Sequence, residues 1–266
     1  MVGDVQSELT GREELSEAVY GDVGKKKRIR AGVLSSSIIL LLLSGTLCAQ
    51  NSTTIAPLPV DSFAAKIGRQ TAPQIVDVRT PEEFDVNHLN GAISIDLREP
   101  GYLRGLDKFD KTKPVFIYAI QNYRSGILAT ELRSKGYNEV YELKSGIAAW
   151  IGAGYSYYTA AKDGITLTDY KKTVNDKGLV LVDIGTKYCG LCRQVKGMVD
   201  SLKSEHDPAY KVVEIDLYNS PQLVSELGEV QAVPTLLLYK DGKIVWKRTG
   251  LSFTKTDIGD EIAKVK

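Results

Sequence analysis

From residue 59 to residue 264, short apolar runs alternate with stretches of helical spacing, which leaves few architectures open. Gln74-Ile-Val-Asp-Val, Ala92-Ile-Ser-Ile, Val115-Phe-Ile-Tyr and Glu139-Val-Tyr-Glu-Leu read as strands. Between the last two, Ile127, Leu128 and Leu132 give residues 125–135 one apolar helical face. Strands alternating with helices predict a parallel, doubly wound α/β sheet over residues 59–152.

A second series starts near residue 165. Thr168 is placed to cap a helix running to Val174, followed by the strand Leu179-Val-Leu-Val-Asp, a helix over about 189–203 and the strand Lys211-Val-Val-Glu-Ile. A helix over 220–227, two β runs about the turn Asp241-Gly242, and a closing amphipathic helix over 254–264 complete it. The expectation is two α/β domains of different topology, 59–152 and 165–266. Residues 153–164 join them, and Tyr155, Tyr157 and Tyr158 suit packing better than a flexible tether.

Composition removes several function classes. The chain has 266 residues, enough for two cores, with 34 basic and 33 acidic side chains and a net charge of +1. That balance offers no electrostatic footprint for nucleic acid. The only histidines, His88 and His206, are far apart, so no zinc or other metal site is expected. Two of the three cysteines share one short motif, which excludes a disulfide-stapled fold, and no cofactor is expected.

The first 49 residues read as an export signal or membrane anchor. Lys25-Lys26-Lys27-Arg28-Ile29-Arg30 precedes an uncharged stretch, Ala31 to Asn51, centred on Ile38 to Leu43. Three endings fit: cleavage after Ala49, lipid attachment at Cys48, or an uncleaved anchor through residues 31–49, which would attach the chain to a membrane. Each puts residues 52–266 outside the cytoplasm, with 50–58 as a polar, Pro-containing linker.

The first domain resembles the rhodanese family. Asp77-Val78-Arg79, Pro81-Glu82-Glu83-Phe84, His88-Leu89-Asn90-Gly91-Ala92-Ile93 and Gly136 to Trp150 are similar to that family's segments, in its order. The family's chemistry needs a cysteine at the end of a central strand, in a loop of backbone N–H groups that leads into a helix. Here Val115-Phe-Ile-Tyr118 runs into Ala119-Ile-Gln-Asn122-Tyr-Arg124-Ser125. Arg124 and Ser125 match the end of the family's loop, Asn122 replaces its usual Gly, and Ala119 stands at the nucleophile's position. The resemblance therefore implies a domain without sulfurtransferase activity. Two roles stay open: support of its neighbour, or a binding module whose Arg124 holds a carboxylate or sulfate. His88 and Arg79 are expected to make internal hydrogen bonds.

The second domain resembles the thioredoxin family. Leu179 to Asp183 followed by Tyr188-Cys189-Gly190-Leu191-Cys192 is similar to its active-site strand and helix start. Val233-Pro234-Thr235, with Pro234 falling 42 residues after Cys192, is similar to its cis-Pro turn. The resemblance implies that Cys189, at a helix start, is the attacking sulfur, partly exposed and with a lowered pKa. Cys192, one turn on, would resolve the mixed disulfide, and Asp183 would be a buried proton shuttle with a raised pKa. Tyr188 would form an aromatic lid and Gly190 would allow close approach of a substrate chain. Pro234 would leave the Val233 backbone free to pair with an extended substrate, beside Thr235.

Leu191, Gly185 and Val212 depart from the family pattern, which leaves the direction and potential of the pair open. The expected function is an exported, bacterial, periplasmic thiol–disulfide oxidoreductase acting on protein thiols and disulfides. A membrane electron-transfer partner would be needed if it works as a reductant. The alternative is an extracytoplasmic binding or scaffold protein with an inert structural disulfide.

Overall fold

The computed structural model describes residues 56–162, 164–205 and 207–266. The expected export segment with Cys48, residues 50–55 of the linker, and His206 lie outside them. Among the described residues, no helix is long and apolar enough to cross a membrane.

The first half starts with α1 (Val60–Ile67), β1 (Gln74–Asp77) and α2 (Pro81–Val86). The sequence dictates the start of α2. Thr80 accepts the Glu83 N–H, Glu83 accepts the Thr80 N–H, and Pro81 sits in the first turn, where its missing N–H costs nothing. Then come β2 (Asn87–Leu89), β3 (Ala92–Ser94), a 3-10 helix (Tyr102–Leu106), β4 (Val115–Tyr118), α3 (Asn122–Ser134), β5 (Val140–Glu142) and α4 (Gly146–Gly152).

The four-stranded sheet runs β3-β1-β4-β5, all parallel. Every residue of β4 is buried, as a continuous apolar run covered on both faces requires. From β1 the chain passes to β3 on one side and β4 on the other. The loops after β1 and β4 therefore meet at the switch point where such sheets place their ligand sites. The linker's end is already tied to this sheet: Leu58 N–H donates to the Glu142 carbonyl at 2.8 Å.

The second half holds β6 (Tyr157–Thr159), α5 (Leu167–Val174), β7 (Leu179–Gly185), α6 (Gly190–Ser204), β8 (Tyr210–Asp216), α7 (Pro221–Leu227), β9 (Thr235–Lys240), β10 (Lys243–Thr249) and α8 (Lys255–Val265). The sheet order is β10-β9-β7-β8, with β7 and β8 parallel and the other pairs antiparallel. The β9–β10 hairpin turns through Asp241 and Gly242, both at positive φ (48° and 78°), as an Asp-Gly turn of this kind demands.

Two details differ from expectation. Thr166, not Thr168, caps α5, accepting the Asp169 N–H at 3.1 Å. Residues 153–164 are not a plain connector, because β6 pairs antiparallel with β2 of the first half. The ring of His88 stacks between Phe84 and Tyr158 at that junction.

The described residues cluster as one compact unit, and a single apolar core crosses both halves. Phe116, Tyr118, Ile147 and Ile151 share it with Tyr218, Leu223, Val224 and Val230. Every residue of α4 is buried, and α4 packs on α7. Gly152 at its end is forced: a Cβ there would lie 1.7 Å from the Val230 carbonyl oxygen.

Polar groups are buried at the same junction. Arg79, 0% exposed, donates to Asp77 (2.7 Å), Asn87 and the Tyr218 hydroxyl (2.6 Å), and Tyr218 donates onward to Glu83 at 3.1 Å. A buried guanidinium is tolerable only with such a full set of partners. Arg79 makes internal hydrogen bonds, as expected, and one of them reaches the second half.

Candidate active site

β7 runs into a short loop, and α6 begins at Gly190 with Cys189 as its N-cap. The Cys189 sulfur is the capping group, accepting the Cys192 N–H at 3.2 Å. The helix start thus directs unpaired donors at this sulfur. The Cys192 thiol, then the backbone N–H groups of Cys192 and Leu191 and the charge of Arg193, stabilise the Cys189 thiolate. They outweigh burial and lower its pKa to about 7. Cys192 shifts the opposite way: its bond to Cys189, burial and the neighbouring negative sulfur raise it well above the thiol range. One sulfur is set to ionise and the other to keep its proton.

Asp183 sits on β7 behind this pair. Burial, and then the charge of Glu214, push its carboxyl up to about 7, against the opposing pull of Lys196 and Lys203. Glu214 is its register partner on β8, held by Lys196 at 2.9 Å and Lys203 at 2.5 Å. One Asp183 carboxylate oxygen is buried without a hydrogen-bond partner. A cleft of about 250 Å³ lined by Asp183, Cys192, Lys196 and Glu214 lies alongside. Gly185 faces Cys192: a Cβ there would come within 3.4 Å of its sulfur. Val212 pairs in register with Leu181 rather than with Asp183. Glu214 and Lys196 escaped the sequence reading. Two-residue alternation along β8 could have put Glu214 at this level, but nothing local announces Lys196.

The Val233–Pro234 peptide is cis. The ring of Tyr188 lies beside that of Tyr218, centroids 5.4 Å apart, and Gly190 is exposed at the rim. The structure departs from the expected site in three respects. Cys189 is 1% exposed instead of partly open. The Val233 carbonyl is not free, because the Gln121 side-chain amide donates to it at 2.9 Å and approaches the Cys189 sulfur at 3.7 Å. Thr235 is fully buried, its hydroxyl donating to the Ala232 carbonyl at 2.7 Å, so it secures the hairpin rather than facing a substrate. The first two departures share a cause, the first half's β4–α3 loop, whose Gln121 lies against Cys189 and Val233.

That loop holds Ala119, at the position where the resemblance of the first domain leads one to expect a nucleophile. Asn122 pins it, donating to the Leu143 carbonyl and accepting the Ser145 N–H. Ala119 itself is buried, and its carbonyl accepts the Ile147 N–H. Ser125 donates to the Asn122 carbonyl and the Glu142 carboxylate. Arg124, which one of the two open roles had holding an outside anion, is paired with Glu83 at 3.1 Å. The capping glutamate of α2 therefore takes the anion's place. Gln121 was not singled out by sequence, and no local signal marks it, since its partners lie 68 and 112 residues away.

Comparison with known proteins agrees with both halves. Residues 163–264 match the family model described as Thioredoxin, and residues 60–153 match the Rhodanese-like domain. The chain is similar to a thioredoxin of Porphyra purpurea, 35% identical over 82 residues, which cover 30% of this chain and 76% of that one. It is also similar to thioredoxin 1 of Nostoc sp. (strain PCC 7120), 32% identical over 101 residues, or 38% and 92% of the two chains. Among solved structures it is similar to mitochondrial thioredoxin 3 from Saccharomyces cerevisiae in its oxidised form. That match is 26% identical, covers 37% of this chain and 89% of that one, and has a TM-score of 0.33. With its cysteine pair at a helix start, the buried Asp183 behind it and the cis-Pro turn beside it, the chain belongs to the thioredoxin family, and a rhodanese-like domain precedes the thioredoxin domain.

Proposed function

We propose that this protein is an exported thiol–disulfide oxidoreductase of a bacterial periplasm that exchanges disulfides with protein substrates through Cys189 and Cys192. The observation that carries the reading is the opposed setting of the two thiols around one helix start, Cys189 lowered to about 7 and Cys192 raised. The Cys189 thiolate attacks one sulfur of a substrate disulfide, that S–S bond breaks, and the leaving sulfur takes up a proton. Cys192 then gives its proton to the Asp183 carboxylate and attacks the Cys189 sulfur. This releases the second substrate thiol and leaves a Cys189–Cys192 disulfide. Two electrons and two protons pass from the pair to the substrate, and the reverse sequence oxidises a dithiol. Working as a reductant, the protein would draw electrons from a membrane partner, and residues 31–49 would bring it to the membrane. The basic flank and apolar run of the N-terminal segment support export.

The rhodanese-like domain acts as support and as the cover of the pair. Ala119 has no lone pair with which to take up sulfane sulfur, so it transfers none. A second reading has one observation in its favour: Cys189 is almost fully buried, as a scaffold with an inert pair would have it. Insulin reduction by the full chain with dithiothreitol separates the two. Turnover above the uncatalysed rate, lost in Cys189→Ser, is expected. A full chain no better than Cys189→Ser would leave the scaffold standing.

A further inference from the structure

We propose that Gln121 is a specificity-determining residue. Its side-chain amide holds the seat that an extended polypeptide takes against Val233, and so turns Cys189 away from polypeptide disulfides relative to small disulfides that make no main-chain pairing. The inference rests on the oxidoreductase reading above and goes beyond it to the class of disulfide admitted.

The Val233 carbonyl precedes the cis proline and shares the Gln121 amide with the Cys189 sulfur. It is the group an approaching strand would use for a backbone hydrogen bond. Gln121 already supplies that bond, with an N–H like that of a peptide, at 2.9 Å. The same nitrogen lies 3.7 Å from the Cys189 sulfur, so a single amide spans the attacking atom and the pairing site as a substrate main chain would. Gln121 is the N-cap of α3, yet its side chain makes no capping bond and crosses to the other domain instead.

The loop that presents it is held on several sides. Asn122 is bonded to Leu143 and Ser145, and Arg124 is bonded to Glu83. Glu83 in turn receives the Tyr218 hydroxyl from the thioredoxin domain. The amide is therefore held in register with the seat rather than swung into it by chance.

The exchange step is the same for any disulfide: the Cys189–substrate S–S bond forms, the substrate S–S bond breaks, and the leaving sulfur is protonated. Gln121 changes none of these bonds. Its contact with the sulfur acts on every substrate alike, whereas its bond to Val233 competes only with a reactant that pairs through its main chain. The ratio of the two rates isolates the second effect.

The test uses the reduced full chain and two variants, Gln121→Met, which keeps the length without a donor, and Gln121→Ala. Single-turnover rates are measured with insulin and with hydroxyethyl disulfide. The ratio of the insulin rate to the hydroxyethyl disulfide rate is expected to rise about five- to tenfold in both variants, the size of one net hydrogen bond in competition. An unchanged or lower ratio in Gln121→Met overturns the proposal. So does a rise in Gln121→Ala alone, which would assign the effect to bulk. If the unsubstituted chain and both variants react with neither disulfide although thiol titration finds the pair reduced, the oxidoreductase reading fails and the proposal falls with it.

Discussion

Asp183 loses more than it gains from its surroundings when charged, because burial and Glu214 outweigh the pull of Lys196 and Lys203. One of its oxygens is buried without a partner, Glu214 stands opposite, and the carboxyl keeps its proton up to about pH 7. The unfolded chain would release that proton near the ordinary aspartate value. Between about pH 4 and 7 the folded state therefore holds more protons, and stability falls as pH rises through that window. Asp183→Asn should accordingly stabilise the protein by about 2–4 kcal/mol at about pH 8, with the gain fading towards about pH 4. Urea unfolding at both pH values checks this, and a gain that is the same at both would assign it to packing. On the proposed mechanism this cost is repaid in chemistry, because Asp183 takes the proton that Cys192 must lose. Asp183, the cysteine pair and the cis proline were legible through the resemblance to the thioredoxin family, which the motif residues around them carry. Gln121 was not, because the sequence holds no trace of a bond between residues 112 positions apart.

At the scale of elements, local pattern and tertiary pairing divide the fold between them. β1, β4, β7 and the β9–β10 hairpin follow from apolar runs and an Asp-Gly turn, because buried strands and tight turns are specified by the residues inside them. β2 and β6 carry no such pattern. Each is three residues long and exists only through the other, which is why residues 153–164 read as a linker. Competition between two nearby threonines hid the cap of α5, and Thr166 won because its oxygen meets the Asp169 N–H. The contact of α4 with the loop after α7 is equally invisible in sequence, yet it sets a strict requirement at Gly152, where backbone meets backbone. Gly152→Ala must move the Val230 carbonyl or part the two helices. It is expected to cost about 2–3 kcal/mol, the scale of overpacking in a core, and to lower the calorimetric melting temperature. An unchanged melting temperature would mean that the approach of the two halves is looser than described.

Over the whole molecule, the two domains are not beads on a string. One apolar core, the buried Arg79 network and the β2–β6 pairing cross the boundary, and a loop of the rhodanese-like domain ends on the sulfur of its neighbour. Ala119 and Cys189 are both buried where this loop meets the thioredoxin domain. On the proposed reading the loop has no reaction of its own and serves to close that face. The central claim is that this closed face still encloses a working redox pair. Equilibrating the full chain against glutathione redox buffers and quantifying the Cys189–Cys192 disulfide tests it most directly. The account predicts reversible, two-electron oxidation of the native protein with a potential between about −270 and −120 mV, the span of thioredoxin-like proteins. A pair that stays reduced, or that opens only when the protein is denatured, would contradict it.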